Sequence, residues 1–151
     1  MTPEIEAKIL ALLDQHRIMT IATLRADGWP QATTVGYVSE GLTLWFLCGL
    51  DSQKAVNLLR DSRVSITIDH DTPDMLAITG LSLAAHAVEV RDSAEAARVI
   101  GRLPGKYPEA AAAPPFPMPT PEQVRVFKVT PIMISVLDYT KGFGHAELVR
   151  C

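Results

Sequence analysis

The sequence predicts a mainly β protein with peripheral helices, an antiparallel barrel with its helices packed outside. Three observations lead there. Apolar and polar residues alternate over several short segments, most cleanly in "RVSITID", where Val64, Ile66 and Ile68 share one face. Tight-turn signals, above all Asp27-Gly28, separate these segments. Helical spacing is confined to a few short stretches.

The first of these is "TPEIEAKILALLDQH". Thr2 can cap it, Pro3 suits its first turn, and Glu4 and Glu6 suit its positive end. Ile5, Ile9, Leu12 and Leu13 then lie on one face. "IMTIATLRADGWPQATTVGYV" reads as two strands joined around Asp27-Gly28, and "LTLWFLC" as a third after the turn "SEG". Residues 51–61 have helix spacing, with Ala55, Val56, Leu58 and Leu59 apolar. After "RVSITID" comes a long strand, "LAITGLSLAAHAVEV", with Gly80 at a bulge or bend. "SAEAARVIGRL" is helical, with Ser93 as its cap. Residues 104–121 hold seven of the eleven prolines and read as an extended, semi-rigid loop, either a connector or a lid. "VRVFKVTPIMISVLDY" returns to strand, with Pro131 at a bulge or edge, and the tail "TKGFGHAELVRC" places glycines around Phe143.

A chain of 151 residues suggests one domain, residues 1–151, and folding a domain of this size hides about 70% of its unfolded surface. The net charge of −3 argues against a nucleic-acid partner. No apolar run approaches the roughly 20 residues of a membrane helix, and the opening residues do not resemble a secretory leader. The two cysteines, Cys48 and Cys151, have no metal-like spacing. A cytoplasmic protein with reduced thiols is the expectation. The four histidines are scattered, which gives no metal site from spacing. Neither a Walker loop, a "GxGxxG" nor a "GxSxG" elbow is present.

Three stretches carry candidate chemistry. In "DSQK", Ser52, Gln53 and Lys54 stand at the mouth of a helix, where free amides and a partial positive charge suit a phosphate; Asp51 or Ser52 also makes a good cap. In "PQATTVGYV", Thr33, Val35 and Tyr37 share one strand face, and Thr34, Gly36 and Val38 share the other. Gly36 fits a close approach to the backbone, by a flat ring for instance, or a barrel twist. In "DYTKGFGH", Lys141 and His145 are ligand contacts or solvated charges of a C-terminal turn, with Gly142 and Gly144 permitting close backbone approach.

The run "IATLRADGWPQATTVGYV…LTLWFLCGLDSQKAVNLLRDSRVSITI" resembles the pyridoxamine 5'-phosphate oxidase-like proteins, the FMN-binding split barrels. Three features carry the resemblance: a "DGxPxxxxV" hairpin, a strand ending just before "SxK" at a helix start, and "LLRDSRVSITI" after that helix. It implies a six-stranded antiparallel split barrel, a homodimer, and FMN in the clefts between subunits. The flavin ring would meet the strand near Thr33, Thr34 and Val35, and the strand end at Leu47 and Cys48. Ser52, Gln53 and Lys54 would hold the phosphate, and Lys141 and His145 would close over the cofactor. The oxidase itself usually has arginine where this chain has Thr33 and Gln53, and its basic C-terminal motif is replaced by "TKGFGHAELVRC". Pyridoxamine phosphate oxidation is therefore not expected.

The expected function is an FMN-dependent oxidoreductase acting on a small organic substrate. Tyr37, Tyr139, Lys141 and His145 are the candidates for acid or base. The alternatives are a deazaflavin-dependent reductase, drawing on Arg60, Arg63 or Lys106 for charge, and a non-enzymatic flavin- or haem-binding module with His145 or His86 as axial ligand.

Overall fold

A computed structural model describes residues 1–112 and 117–151. Its eight strands are β1 (Ile18–Leu24), β2 (Pro30–Gly36), β3 (Val38–Glu40), β4 (Thr43–Gly49), β5 (Arg63–Asp69), β6 (Thr79–Glu89), β7 (Val124–Asp138) and β8 (Ala146–Arg150). All pairings are antiparallel. The order across the sheet is β2-β1-β5-β6-β7-β4-β3, with β8 beside the C-terminal half of β7.

The two ends of that order, β2 and β3, are consecutive in the chain and separated by Tyr37 alone. The sheet must therefore curl until its edges meet, and a split barrel results. The six strands implied by the resemblance become eight. Tyr37 breaks one expected strand into β2 and β3, and the tail run "AELVR" forms β8, whose partner lies in β7.

Burial follows strand parity. Met19, Ile21, Val64, Ile66, Ile68, Leu81, Leu83, Phe127 and Val129 fill the barrel. Phe46 and its cross-strand partner Phe127 stack with centroids 5.5 Å apart, a contact worth about 0.5–1.5 kcal/mol beyond area. Helix α1 (Pro3–Gln15), capped by Thr2, closes one barrel end with Ile9, Leu12 and Leu13. Helix α2 (Gln53–Arg60) closes the other with Ala55 and Leu58. Helix α3 (Ser93–Gly101) covers the outside of β3, β4 and β7, where Ala96 and Val99 meet Val38, Trp45 and Val126. Its cap is Asp92, whose carboxylate accepts from Ala94 N at 3.0 Å, and not the expected Ser93.

The proline-rich stretch is not wholly extended. It begins in two short helices, α4 (Leu103–Lys106) and α5 (Pro108–Ala112). Pro104 and Pro108 stand in their first turns, where a missing N–H costs nothing. Residues 113–116 of that expected loop lie outside the described residues. Pro131 does sit at a bulge: Ala84 pairs with Met133 and Ala85 with Pro131, which leaves Ile132 unpaired.

Candidate functional site

The mouth of α2 gathers several of the residues singled out from sequence. Strand β4 ends with Cys48 facing inward, buried, and paired in register with Arg125 of β7. The chain turns through a Ser52 N to Gly49 O bond of 3.2 Å and enters α2. Ser52 is the N-cap, and its Oγ accepts from Ala55 N at 3.2 Å. The first intrahelical bond is Val56 N to Ser52 O at 3.1 Å, so the amides of Gln53 and Lys54 lie ahead of the helix's own ladder. Burial pushes the Cys48 thiol above its ordinary range, while the Ser52 hydroxyl and the Lys54 and Arg125 cations pull it the other way. Ser52, Lys54 and Arg125 thus surround Cys48, with Glu89, paired to Arg125 at 3.0 Å, adding an opposing negative charge.

Gln53 belongs to a different network. Its Nε2 donates to Asn57 Oδ1 at 2.9 Å, and the fully buried Asn57 donates to Thr23 Oγ1 at 2.9 Å and Gln31 Oε1 at 3.4 Å. This ties the helix mouth to β1 and β2. Strand β2 is the last strand on its side of the sheet, so among the described residues its second edge carries backbone groups with no strand partner. By the register with β1, Thr33 and Val35 point inward, opposite Ile21 and Met19, and Thr34 points outward and is exposed. Leu47 turns outward and packs under α3.

The close approach at Gly36 is made by the protein itself. The Tyr107 hydroxyl lies against the Gly36 backbone, accepts from Tyr37 N at 3.1 Å and donates to Arg17 O. Tyr37 is fully buried; its own hydroxyl shares its proton between Leu13 O at 2.7 Å and His16 O at 2.9 Å. Burial raises its pKa far out of the working range, which removes Tyr37 from the candidate acids and bases.

Lys141 and His145 lie at the other end of the barrel. Arg125 marks the level of Cys48 on β7, and Leu137 marks the level of Ala146. The twelve intervening steps of strand span roughly 40 Å at most. Lys141 Nζ is 3.5 Å from Glu147 Oε2, and His145 Nε2 is 3.8 Å from the same oxygen. Gly142 and Gly144 have φ of +137° and +76°, so the turn into β8 accounts for both. Within one protomer this tail does not meet the α2 mouth.

The cations expected to serve a deazaflavin tail are engaged locally. Arg60 donates to Leu24 O, Arg63 pairs with Asp61 at 2.7 Å, and Lys106 donates to Leu13 O at 2.8 Å. An apolar cleft of about 310 Å³, lined by Ala22, Leu24, Pro30, Ala84, Ile132 and His86, opens on the outer face of β1, β5 and β6.

Sequence reading missed Arg125, Asn57 and this cleft. The signal for Arg125 was present: in "VRVFKV" it keeps phase with the inward Phe127 and Val129, an unusual place for a cation. Asn57 gave no comparable signal, because Thr23 and Gln31, the partners that fix it in the core, are remote in sequence.

Strand order and helix placement together define a split β-barrel, with the free leading amides of α2 at one end. The sequence matches the family model described as pyridoxamine 5'-phosphate oxidase over residues 5–137, and the chain belongs to that family. Among solved structures, the conserved hypothetical protein Rv2991 from Mycobacterium tuberculosis is similar at 27% identity and a TM-score of 0.75, with 97% of this chain and 91% of that one covered. HutZ, the heme storage protein of Vibrio cholerae, is 22% identical with a TM-score of 0.66, over 83% of this chain and 89% of its own. General stress protein 26 of Bacillus anthracis is 16% identical with a TM-score of 0.70, over 98% of this chain and 99% of its own. None of the curated proteins matches the sequence significantly. Among the described residues no helix is long and apolar enough to cross a membrane.

Proposed function

We propose that the protein is an FMN-binding flavoprotein, a homodimeric oxidoreductase acting on a small organic substrate in the cytoplasm. The observation that carries this reading is the cluster at the α2 mouth. Ser52, the leading amides of α2, Lys54 and Arg125 form a donor set suited to a phosphate monoester. Arg125 supplies, from another strand, the charge that Gln53 lacks. Its Nη1 is paired with Glu89 at 3.0 Å and its Nε donates to Leu50 O at 2.7 Å, so holding a phosphate would require the Glu89 pair to loosen. The open edge of β2 at Thr33 to Val35 would orient the ring through backbone groups. When bound, the flavin supplies the exchange of an electron pair.

A second copy is part of the proposal because several large apolar side chains on the outside of the sheet are left uncovered by α1, α2 and α3. Ile18 on β1, Ile132 on β7 and Leu148 on β8 stand 50–61% exposed. Because the Lys141 and His145 turn does not reach the α2 mouth within one protomer, a role for it at the cofactor would require a second copy to supply it.

The test is the absorption spectrum of the purified protein, followed by titration with FMN. Lys54→Ala and Arg125→Ala should each weaken FMN about tenfold to a hundredfold, the loss expected for a hydrogen bond to a charged group. Failure of the unmodified chain to bind FMN would overturn the reading. Light scattering that gave a monomer would overturn the dimer.

One observation favours a second reading, haem binding. His86 stands on the apolar cleft, with Nδ1 2.8 Å from Ser62 Oγ, which orients the ring. A Soret band on haem addition that disappears in His86→Ala would support it, and a band unaffected by that change would count against His86 as ligand.

A further inference from the structure

The motif "DHD" at residues 69–71 plays no part in the proposed cofactor site. It begins on the last residue of β5, and folding carries His70 to His16 at the C-terminal end of α1. His16 Nε2 and His70 Nδ1 are 3.3 Å apart, with ring centroids separated by 5.5 Å.

His16 is held by both its backbone and its ring. Its N–H donates to Leu12 O at 3.2 Å, and its carbonyl accepts from the buried Tyr37 hydroxyl. Its ring Nδ1 lies 2.9 Å from the Leu12 carbonyl. A carbonyl only accepts, so Nδ1 carries the proton, and in the neutral ring Nε2 presents a lone pair toward His70. A metal-ligating histidine has this arrangement: one ring nitrogen tied to a backbone carbonyl, the other free to coordinate.

The separation also fits. Two ligands at Zn–N distances of about 2.05 Å and a tetrahedral angle stand about 3.3 Å apart. Carboxylates of Asp69 and Asp71 flank His70, and a cleft of about 380 Å³ lined by Asp69, His70, Asp71, Thr72 and Ile78 adjoins it, with room for water or an outside ligand. Among the described residues no group of three metal-ligating side chains comes together. The chain therefore offers two nitrogens, with the remaining positions open.

We propose that His16 and His70 form a two-histidine site for a first-row divalent transition ion, copper, nickel or zinc. Imidazole nitrogen selects these over magnesium or calcium, and copper binds tightest of the three. Coordination needs a modest turn of the exposed His70 ring and transfer of its Nδ1 proton to Nε2, with no net change in charge on the imidazoles. The bound ion staples the end of α1 to the exit of β5.

The experiment uses the full chain carrying Cys151→Ser, which removes the exposed thiol as a competing ligand. Zn²⁺ and Cu²⁺ are titrated by calorimetry, the melting temperature is followed with and without metal, and the Cu²⁺ complex is examined by electron paramagnetic resonance. One ion per chain, nitrogen couplings from two imidazoles and a rise in melting temperature are expected. His70→Ala, at an exposed position, should lose affinity about tenfold or more, at least what loss of a supporting ligand contact costs. His16→Ala should do the same. Unchanged affinity in His70→Ala, or no binding with metal in large excess, would show that the pair is only a hydrogen bond.

Discussion

The hydroxyl of Tyr107 occupies the space where a side chain on Gly36 would begin. The contact joins the start of the proline-rich segment to the point where β2 becomes β3. Neighbouring contacts run the same way. Lys106 donates to the last carbonyls of α1 and lies 4.7 Å above the Tyr37 ring, and Arg17 pairs with Glu109 at 3.0 Å. Residues 106–109 thus strap the end of α1 to the barrel seam.

Gly36→Ala should destabilise the protein by about 1–3 kcal/mol, the usual cost of overpacking. Removing the obstruction with Tyr107→Ala should recover part of the loss. Urea denaturation of the two single variants and the double variant checks this: strictly additive losses would mean that the two residues do not compete for the same space.

Asn57→Leu should cost about 1–3 kcal/mol, because Thr23 and Gln31 lose a buried partner. The same change frees Gln53 at the helix mouth. Stability is read from denaturation and FMN affinity from fluorescence quenching; a drop in stability with unchanged affinity would confine the network to a structural role.

Acid stability should depend on Asp138. Hydrogen bonds from Lys8 first, and Thr140 second, lower its pKa to about 2 in the folded protein. A depressed carboxyl stabilises the fold in full above its unfolded value, near 3.9, and loses that contribution as pH falls toward 2. Lys8→Met should therefore narrow the difference in stability between pH 5 and pH 2.5. A pH profile identical to that of the unmodified protein would remove Lys8 from the cause.

The two thiols should react differently. Desolvation raises the pKa of both thiols, but Cys48 is buried whereas Cys151 is exposed. Iodoacetamide at neutral pH should label Cys151 first, with Cys48 labelled only after unfolding. Mass spectrometry of the labelled peptides decides it, and early modification of Cys48 would show that the helix mouth opens readily.

Elements set by local chemistry were legible in the sequence. Alternation in "RVSITID" marked β5 residue for residue, Thr2 and Pro3 marked the start of α1, and Asp27-Gly28 marked the hairpin. Elements that depend on a distant partner were not. Residues 146–150 become a strand only because β7 offers an edge, and Tyr107 meets Gly36 across 71 positions of sequence. The site divides in the same way. Ser52 and Lys54 could be read from a helix start, whereas Arg125 joins them through cross-strand register, and the pairing of His16 with His70 depends on the fold bringing α1 to the end of β5.

Tyr37, the single residue between the first and last strands of the sheet, also constrains the order of assembly. The hairpins β1–β2 and β3–β4 can form early from neighbouring residues. They cannot take their places on opposite sides of one sheet until β5, β6 and β7 have been made and aligned between them. Closing the seam at Tyr37 is thus the step with the greatest accumulated loop entropy. Folding should be slow for a chain of this length, as it is wherever remote pairings precede closure.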